Sequence, residues 1–245
     1  MSNGLDKKGH IYGEYESIKF QAKRAKYLEY QSYLRANNYD PGDLLENIGA
    51  FIGDLTLNRV LALHEYFQKT LSIAGHIADV GTYKGSSALL FAKFLQIFQA
   101  QSLWQVHGFD WFKGTPEMSP SDSALVPEGG YVSSKSELEH LVHLQELESI
   151  FRLHDLDLIT DLEQFFLTHP HLQFRLVFMD CGSYDVMDSA IPQFWSRLTP
   201  GGIMIFDQWA HEFAPGEITA VRKHLPDQVV RTLPFGWMPN SYIVK

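Results

Sequence analysis

Apolar residues in this chain gather into short runs of strand length, and four of those runs stop at or beside an acid. Residues 76–80 (HIADV), 104–109 (WQVHGF), 174–179 (FRLVFM) and 202–206 (GIMIF) lead to Asp79, Asp110, Asp180 and Asp207. Residues 151–158 form a weaker run of the same kind. Between the runs, residues 86–100, 134–148, 161–168, 186–198 and 217–224 have the length and patterning of helices. That alternation predicts an α/β fold built on a doubly wound, mostly parallel sheet with helices on both faces. The end of the chain differs. Residues 228–233 and 241–244 read as two short strands joined by the Gly/Pro-containing loop 234–240, which brings the strand count to seven and predicts a closing antiparallel hairpin.

Ahead of the first strand the pattern is helical. Residues 14–36 are charged, rich in helix formers and free of Gly and Pro, and the NNYDPG segment at 37–42 stops them. Tyr27, Tyr30 and Tyr33 recur three apart and, with Leu34, mark a stripe suited to packing on the core, on a second subunit or over a site. Two further helical patterns flank Gly53, with Leu55, Val60, Leu61 and Leu63 among their apolar positions. The expected organisation is a helical extension over residues 1–43 and one main domain over residues 44–245. The long Pro/Gly/Ser-rich connection at 113–136 has the character of a functional or disordered loop.

Composition narrows the function classes. With 245 residues, 45% of them hydrophobic, the chain can bury one full core. No apolar run approaches the roughly 20 residues of a membrane span, and the polar start MSNGLDKKGH lacks a signal-peptide core. A cytoplasmic protein with no membrane partner is expected. The single cysteine, Cys181, can form no internal disulfide and lacks the companions of a zinc site. A formal net charge of −9 speaks against a nucleic-acid substrate and for a small molecule.

The stretch HIADVGTYKGSS from His76 carries the most chemistry. A strand, then Gly81 and Gly85, then a helix start at Ser86 and Ser87 let backbone come close to a ligand, because glycine has no Cβ and tolerates positive φ. Thr82, Tyr83 and Lys84 fill the gap between the glycines, so neither the dinucleotide pattern G-x-G-x-x-G nor a phosphate-cradling G-x-x-x-x-G-K-[ST] is present. Taken alone, the segment is equally compatible with an ordinary strand–turn–helix. Asp110 lies about 30 residues further on, at the strand end where an acid takes ribose hydroxyls in doubly wound folds, and all the strand-end acids converge on one crevice.

Four segments, ADVGTYKGSS from Ala78, GFDWFKGTPE from Gly108, VFMDCGSYD from Val177 and LTPGGIMIFDQW from Leu198, occur in the order and spacing of a known family. From about Leu44 to its C-terminus the chain resembles the macrocin O-methyltransferases, which methylate sugar hydroxyls with S-adenosylmethionine (SAM). The second segment is similar to that family's G-F-D-[ST]-F-E-G, the third to D-x-D-x-Y and the fourth to P-G-G-x-x-x-x-D-[DE]-[YW]. The resemblance implies a class I methyltransferase, Rossmann-like fold, with SAM held by Asp79, Gly81, Gly85, Ser87 and Asp110. Asp157 stands where this family sets a polar residue against adenine, with Asp155 as a competing choice. A divalent cation, Mg²⁺ in the family, would fall to Asp180, Asp207 and Gln208, with Asp180 and Asp207 as catalytic acids. It lowers the pKa of an acceptor hydroxyl while a carboxylate takes the proton.

Two positions depart from the pattern. Gly182 replaces the second acid of D-x-D, and Gln208 replaces the second acid of the final pair. His211, four residues after Asp207, is the best alternative base because histidine titrates near neutrality. His140, His143, His169 and His171 lack partners at metal spacing and are expected on the surface. The acceptor expected is a small molecule, a glycoside or nucleotide-linked sugar, and the enzyme is a possible homo-oligomer. Two other readings stay open: a protein that binds SAM without catalysis, and a dinucleotide-dependent oxidoreductase of nucleotide sugars.

Overall fold

The computed structural model describes residues 21–123 and 128–245. At its centre lies β1 (His76–Val80), flanked on one side by β2 (Val106–Asp110) and β3 (Phe151–Asp155) and on the other by β4 (Phe174–Met179) and β5 (Leu198–Phe206). These five strands are parallel, and β6 (Ser241–Val244) pairs antiparallel with β5, so the order is β3-β2-β1-β4-β5-β6. Their apolar runs are continuous because helices cover both faces. On one face Ile77, Leu176, Phe178, Ile203 and Ile205 pack against Leu63 and Phe67 of α4 (Asp54–Lys69) and against Phe91 and Leu95 of α5 (Ser86–Phe98). On the other, Val80, Val177 and Phe206 pack against α7 (Leu162–Thr168), α8 (Tyr184–Arg197) and α9 (Pro215–His224) through Phe166, Phe194 and Val221. The order reverses between β1 and β4, and there the C-terminal strand ends open a crevice. This is the doubly wound, mostly parallel architecture that the alternation of runs predicts.

Six strands form among the described residues, not seven. Residues 228–233 reduce to a single antiparallel bridge in which Arg231 exchanges both backbone hydrogen bonds with Tyr242, at 2.8 and 2.9 Å. Val229 stays in solvent while Leu233 turns into the core, which carries the chain off the sheet edge. β3 also stops earlier than its apolar run suggests. The Asp157 carboxylate accepts from the Ile159 amide and the Asp161 carboxylate from the Asp157 amide, side-chain turns that compete with strand geometry. Helix α6 (Lys135–Leu144) is shorter than the 134–148 expected; the Ser134 hydroxyl caps it at the Glu137 amide.

Helix α1 (Gln21–Ala36) confirms the C-terminal part of the N-terminal helix; residues 14–20 of that expectation lie outside the described residues. Its tyrosines do not share one fate. Beyond α2 (Pro41–Glu46), Tyr30 donates to the Phe51 carbonyl of α3 (Ile48–Phe51), whereas Tyr33 is exposed and touches Tyr39. No described helix is long and apolar enough to cross a membrane.

Candidate active site

Above the ends of β1, β2, β4 and β5 lies a cavity of about 510 Å³, within the range of small-molecule sites. The β1–α5 turn forms one wall. Gly81 adopts φ +90°, and a Cβ there would collide with the Asp180 backbone carbonyl, so only glycine lets this loop lie against the end of β4. Gly85, at φ +84°, opens α5 but faces the Leu138 side chain and is not on the cavity wall.

Asp79 is fully buried behind that loop. One of its oxygens accepts from the Ser87 hydroxyl at 2.7 Å, and the other has no hydrogen-bond partner. Burial pushes its carboxyl up to about 7, against the opposing pull of Ser87 and Arg59. Ser87 reaches the cavity; Asp79 supports it from beneath. Asp110 is on the wall, where its two oxygens accept from the amides of Tyr83 at 2.7 Å and Phe112 at 2.6 Å. It thereby clamps the glycine loop to the end of β2. Burial raises its carboxyl, and these amides oppose the rise. Asp157 also lines the cavity, whereas Asp155 is off its wall and pairs with Lys135 at 3.2 Å.

Asp180 and Asp207, at the ends of neighbouring parallel strands, are joined by Arg59 of α4. Its Nη2 donates to Asp180 Oδ2 at 2.6 Å and its Nη1 to Asp207 Oδ1 at 2.5 Å. The guanidinium also lies 5.3 Å from the centre of the Phe178 ring. Burial alone would lower the Arg59 pKa, but the Asp207 and Asp180 carboxylates outweigh it and hold the group above its ordinary value. For Asp180, burial and the Asp207 charge push the carboxyl well up, and Arg59 pulls it back. All three residues line the cavity.

Gln208 is on the wall as well, its backbone amide donating to the buried Glu217 carboxylate at 3.2 and 3.3 Å. Its side-chain oxygen lies against Gly182, 3.0 Å from where a Cβ would stand. Gly182 and Gln208 are thus packed on each other. His211 does not reach the cavity. Ala210 turns the loop at φ +57°, and the His211 ring stacks on Phe213 at 5.4 Å and accepts from the Phe213 amide through Nδ1. Phe213 takes the place on the wall. Among the described residues no group of three or more His, Cys, Asp or Glu is arranged to hold a metal ion.

Arg59 is the residue sequence reading missed. It falls on the helical stripe Leu55–Arg59–Ala62–Leu63–Tyr66, whose other members are all buried. A cation in an apolar stripe needs anionic partners, and that was the available signal. Tyr27 of α1 and Trp237 and Met238 of the 234–240 loop also line the cavity.

A family model described as a methyltransferase domain matches residues 78–209. No curated protein matches the chain. Among solved structures, the calicheamicin methyltransferase CalS11 superposes with a TM-score of 0.76 at 20% identity, over 98% of this chain and 97% of that one. A second structure, described as apo CalS11, a TDP-rhamnose 3′-O-methyltransferase, gives 0.74 at 20% identity, over 98% and 99%. The O-methyltransferase NovP gives 0.62 at 16% identity, over 77% and 79%. At these identities the likeness is one of fold.

Proposed function

The chain belongs to the methyltransferase-domain family, and from that premise we propose that it transfers the methyl group of SAM to a hydroxyl of a sugar or another small hydroxylated metabolite. One observation carries the reading: the glycine-loop wall with Asp110 and the acid pair Asp180–Asp207 face the same cavity. The first half suits the cofactor. A cradle that only glycine permits, the Ser87 hydroxyl and a ribose-ready Asp110 fit a nucleoside without phosphates, and the surrounding carboxylates suit a sulfonium cation. In this assignment Gly81, Ser87, Asp110 and Asp157 touch the cofactor, while Asp79 and Gly85 shape the loop. SAM, when bound, supplies an electrophilic methyl group and a neutral thioether leaving group.

The second half suits the acceptor. A sugar hydroxyl must lose its proton as the new O–C bond forms, and a carboxylate on the wall is the acceptor for it. Asp180, whose side chain is 27% exposed against 6% for Asp207, is the one within reach and serves as base. Asp207 holds Arg59 in place. His211, turned away onto Phe213, has no part in this scheme. The resemblance to macrocin O-methyltransferases and the CalS11 description as acting on TDP-rhamnose support a glycoside or nucleotide-linked sugar as the acceptor class.

A divalent cation does not fit the side chains as they stand. Each carboxylate already gives one oxygen to Arg59, and Gln208 turns its amide oxygen to Gly182. No step is derived through a metal.

The test is direct. Calorimetry with S-adenosylhomocysteine should show binding, and Asp110→Ala should weaken it by about 1–3 kcal/mol, the cost of losing hydrogen bonds to a partly buried carboxylate. Turnover over a panel of nucleotide sugars and glycosides, followed by mass spectrometry, should give a singly methylated product. Tighter binding of NAD than of S-adenosylhomocysteine, or undiminished affinity in Asp110→Ala, rejects the reading.

A further inference from the structure

We propose that Arg59 is the resident cation of the acceptor site, a fixed guanidinium that does what a divalent metal would do between Asp180 and Asp207 and leaves the enzyme metal-independent. The inference rests on reading the cavity as a methyl-transfer site, and three observations support it.

The first is geometry. Two carboxylates at the ends of adjacent parallel strands each present one oxygen, and the arginine fork meets both, at 2.5 and 2.6 Å. Planar guanidinium matches such a pair with two directed charge-assisted bonds, which a hydrated cation would have to break. The second is the charge left on the wall. Where D-x-D and the acid pair would offer four carboxylates, this chain offers two, because Gly182 and Gln208 stand at the other positions. Glu217, the next acid, is fully buried beneath the wall and occupied by the Gln208 amide. Among these positions alone, one arginine against two carboxylates leaves one net negative charge; the same arginine beside four would leave three. The third is placement. Arg59 comes from the buried face of α4, is only 22% exposed and leans on the Phe178 ring, so it is held by packing and is no loose surface side chain that a metal would brush aside.

A guanidinium has five N–H groups, and two of them serve the carboxylates. Those remaining on the cavity side are available to an acceptor oxygen. As Asp180 takes the proton, the negative charge that develops on that oxygen meets a positive charge already in position, the electrostatic contribution that coordination to a metal would otherwise make.

The probe is Mn²⁺ alone, followed by loss of its free electron paramagnetic resonance signal on titration with the full-length protein. The wild type should leave the signal intact at about 100 µM, a concentration at which even weak carboxylate sites begin to fill. Arg59→Ala, which releases both carboxylates, should bind Mn²⁺ at least about tenfold more tightly than the wild type, and adding Asp180→Asn should cancel the gain. Equal binding by wild type and Arg59→Ala, at any level, overturns the proposal, as does wild-type binding that Asp180→Asn removes. If Arg59→Ala does not fold by circular dichroism, Arg59→Gln keeps the stem and takes its place. With an acceptor in hand, wild-type turnover should be unchanged by EDTA, and a loss that Mg²⁺ restores also overturns it. S-adenosylhomocysteine binding is measured on the same samples: its absence rejects the methyl-transfer reading and leaves the Mn²⁺ result to judge Arg59.

Discussion

Asp180→Asn should lower kcat on the order of 10²–10⁴-fold, the range for removing a general base, while S-adenosylhomocysteine binds within about threefold of wild type. The amide keeps the volume and can still meet one cavity group, but it cannot take a proton from the acceptor. Because the proposed role of the Asp180 side chain is toward the acceptor, while Gly81 meets only the Asp180 backbone, an Asn at 180 leaves the glycine loop in place and chemistry and cofactor affinity should separate. Asp207→Asn should follow the same direction by loosening Arg59, whose Nη1 it anchors. Steady-state kinetics and calorimetry on the same preparation check both. A parallel loss of turnover and cofactor affinity would place Asp180 in the cofactor site and sink its role as base.

The second large effect is one of pH on stability, and it comes from the far edge of the sheet. His107 on β2 and His154 on β3 share a ring-to-ring hydrogen bond of 2.9 Å and stack nearly parallel at 5.2 Å. Burial, then the neighbouring His154 and His76, lowers His107 to about 2; burial, then His169 and Arg152, lowers His154 to about 4. Both are neutral in the folded protein. A depressed histidine stabilises fully above its unfolded value of about 6.5 and loses that contribution as pH falls toward the folded value. At pH 5 the loss is about 2 kcal/mol for His154 alone. Asp79 runs the other way: its carboxyl, raised to about 7 by burial, favours the fold in acid and costs stability as pH rises through that value. The raw stability curve therefore contains two opposing trends, and the difference between variants isolates one. Urea denaturation of His154→Gln and wild type at pH 7.5 and pH 5 should show the variant gaining about 2 kcal/mol relative to wild type at the lower pH. A difference that does not move with pH would mean that His154 does not titrate on unfolding in this window.

What the chain disclosed in advance and what it hid divide along physical lines. The five parallel strands were legible because burial on both faces demands continuous apolar runs, and Asp110, Asp180 and Asp207 because a topology that reverses at β1 brings those strand ends to one crevice, whereas Asp79 lies buried behind the glycine loop. Which of Asp155 and Asp157 lines the cavity was readable only in three dimensions, since both fall at the end of the same apolar run and Lys135, the partner of Asp155, stands twenty residues away. The 228–233 segment looked like a strand by composition, yet pairing depends on where Leu233 anchors, and a local pattern does not carry that. His211 falls off the cavity wall for a related reason. Four residues from Asp207 is close along the chain, but one left-handed residue, Ala210, turns the ring away. His169, expected on the surface, is half-buried and stacks on Phe165 at 4.2 Å. Arg59 stayed hidden because an arginine in a helix is ordinarily a solvated residue; its meaning depends on partners 121 and 148 positions downstream.

The origin of that arginine has a practical corollary for anyone cutting or recombining this protein. Residues 78–209, the span by which the family is recognised, hold every strand-end acid of the cavity, but the counter-charge of two of them arrives on α4, before that span, and Trp237 and Met238 arrive after it. A chain trimmed to the recognisable span would keep Asp180 and Asp207 side by side with nothing between them and would strip Phe67 from its contact with Phe94. Chimeras that exchange substrate preference between relatives should therefore splice ahead of Asp54 and beyond Asn240. The transplantable unit is wider than the recognisable one.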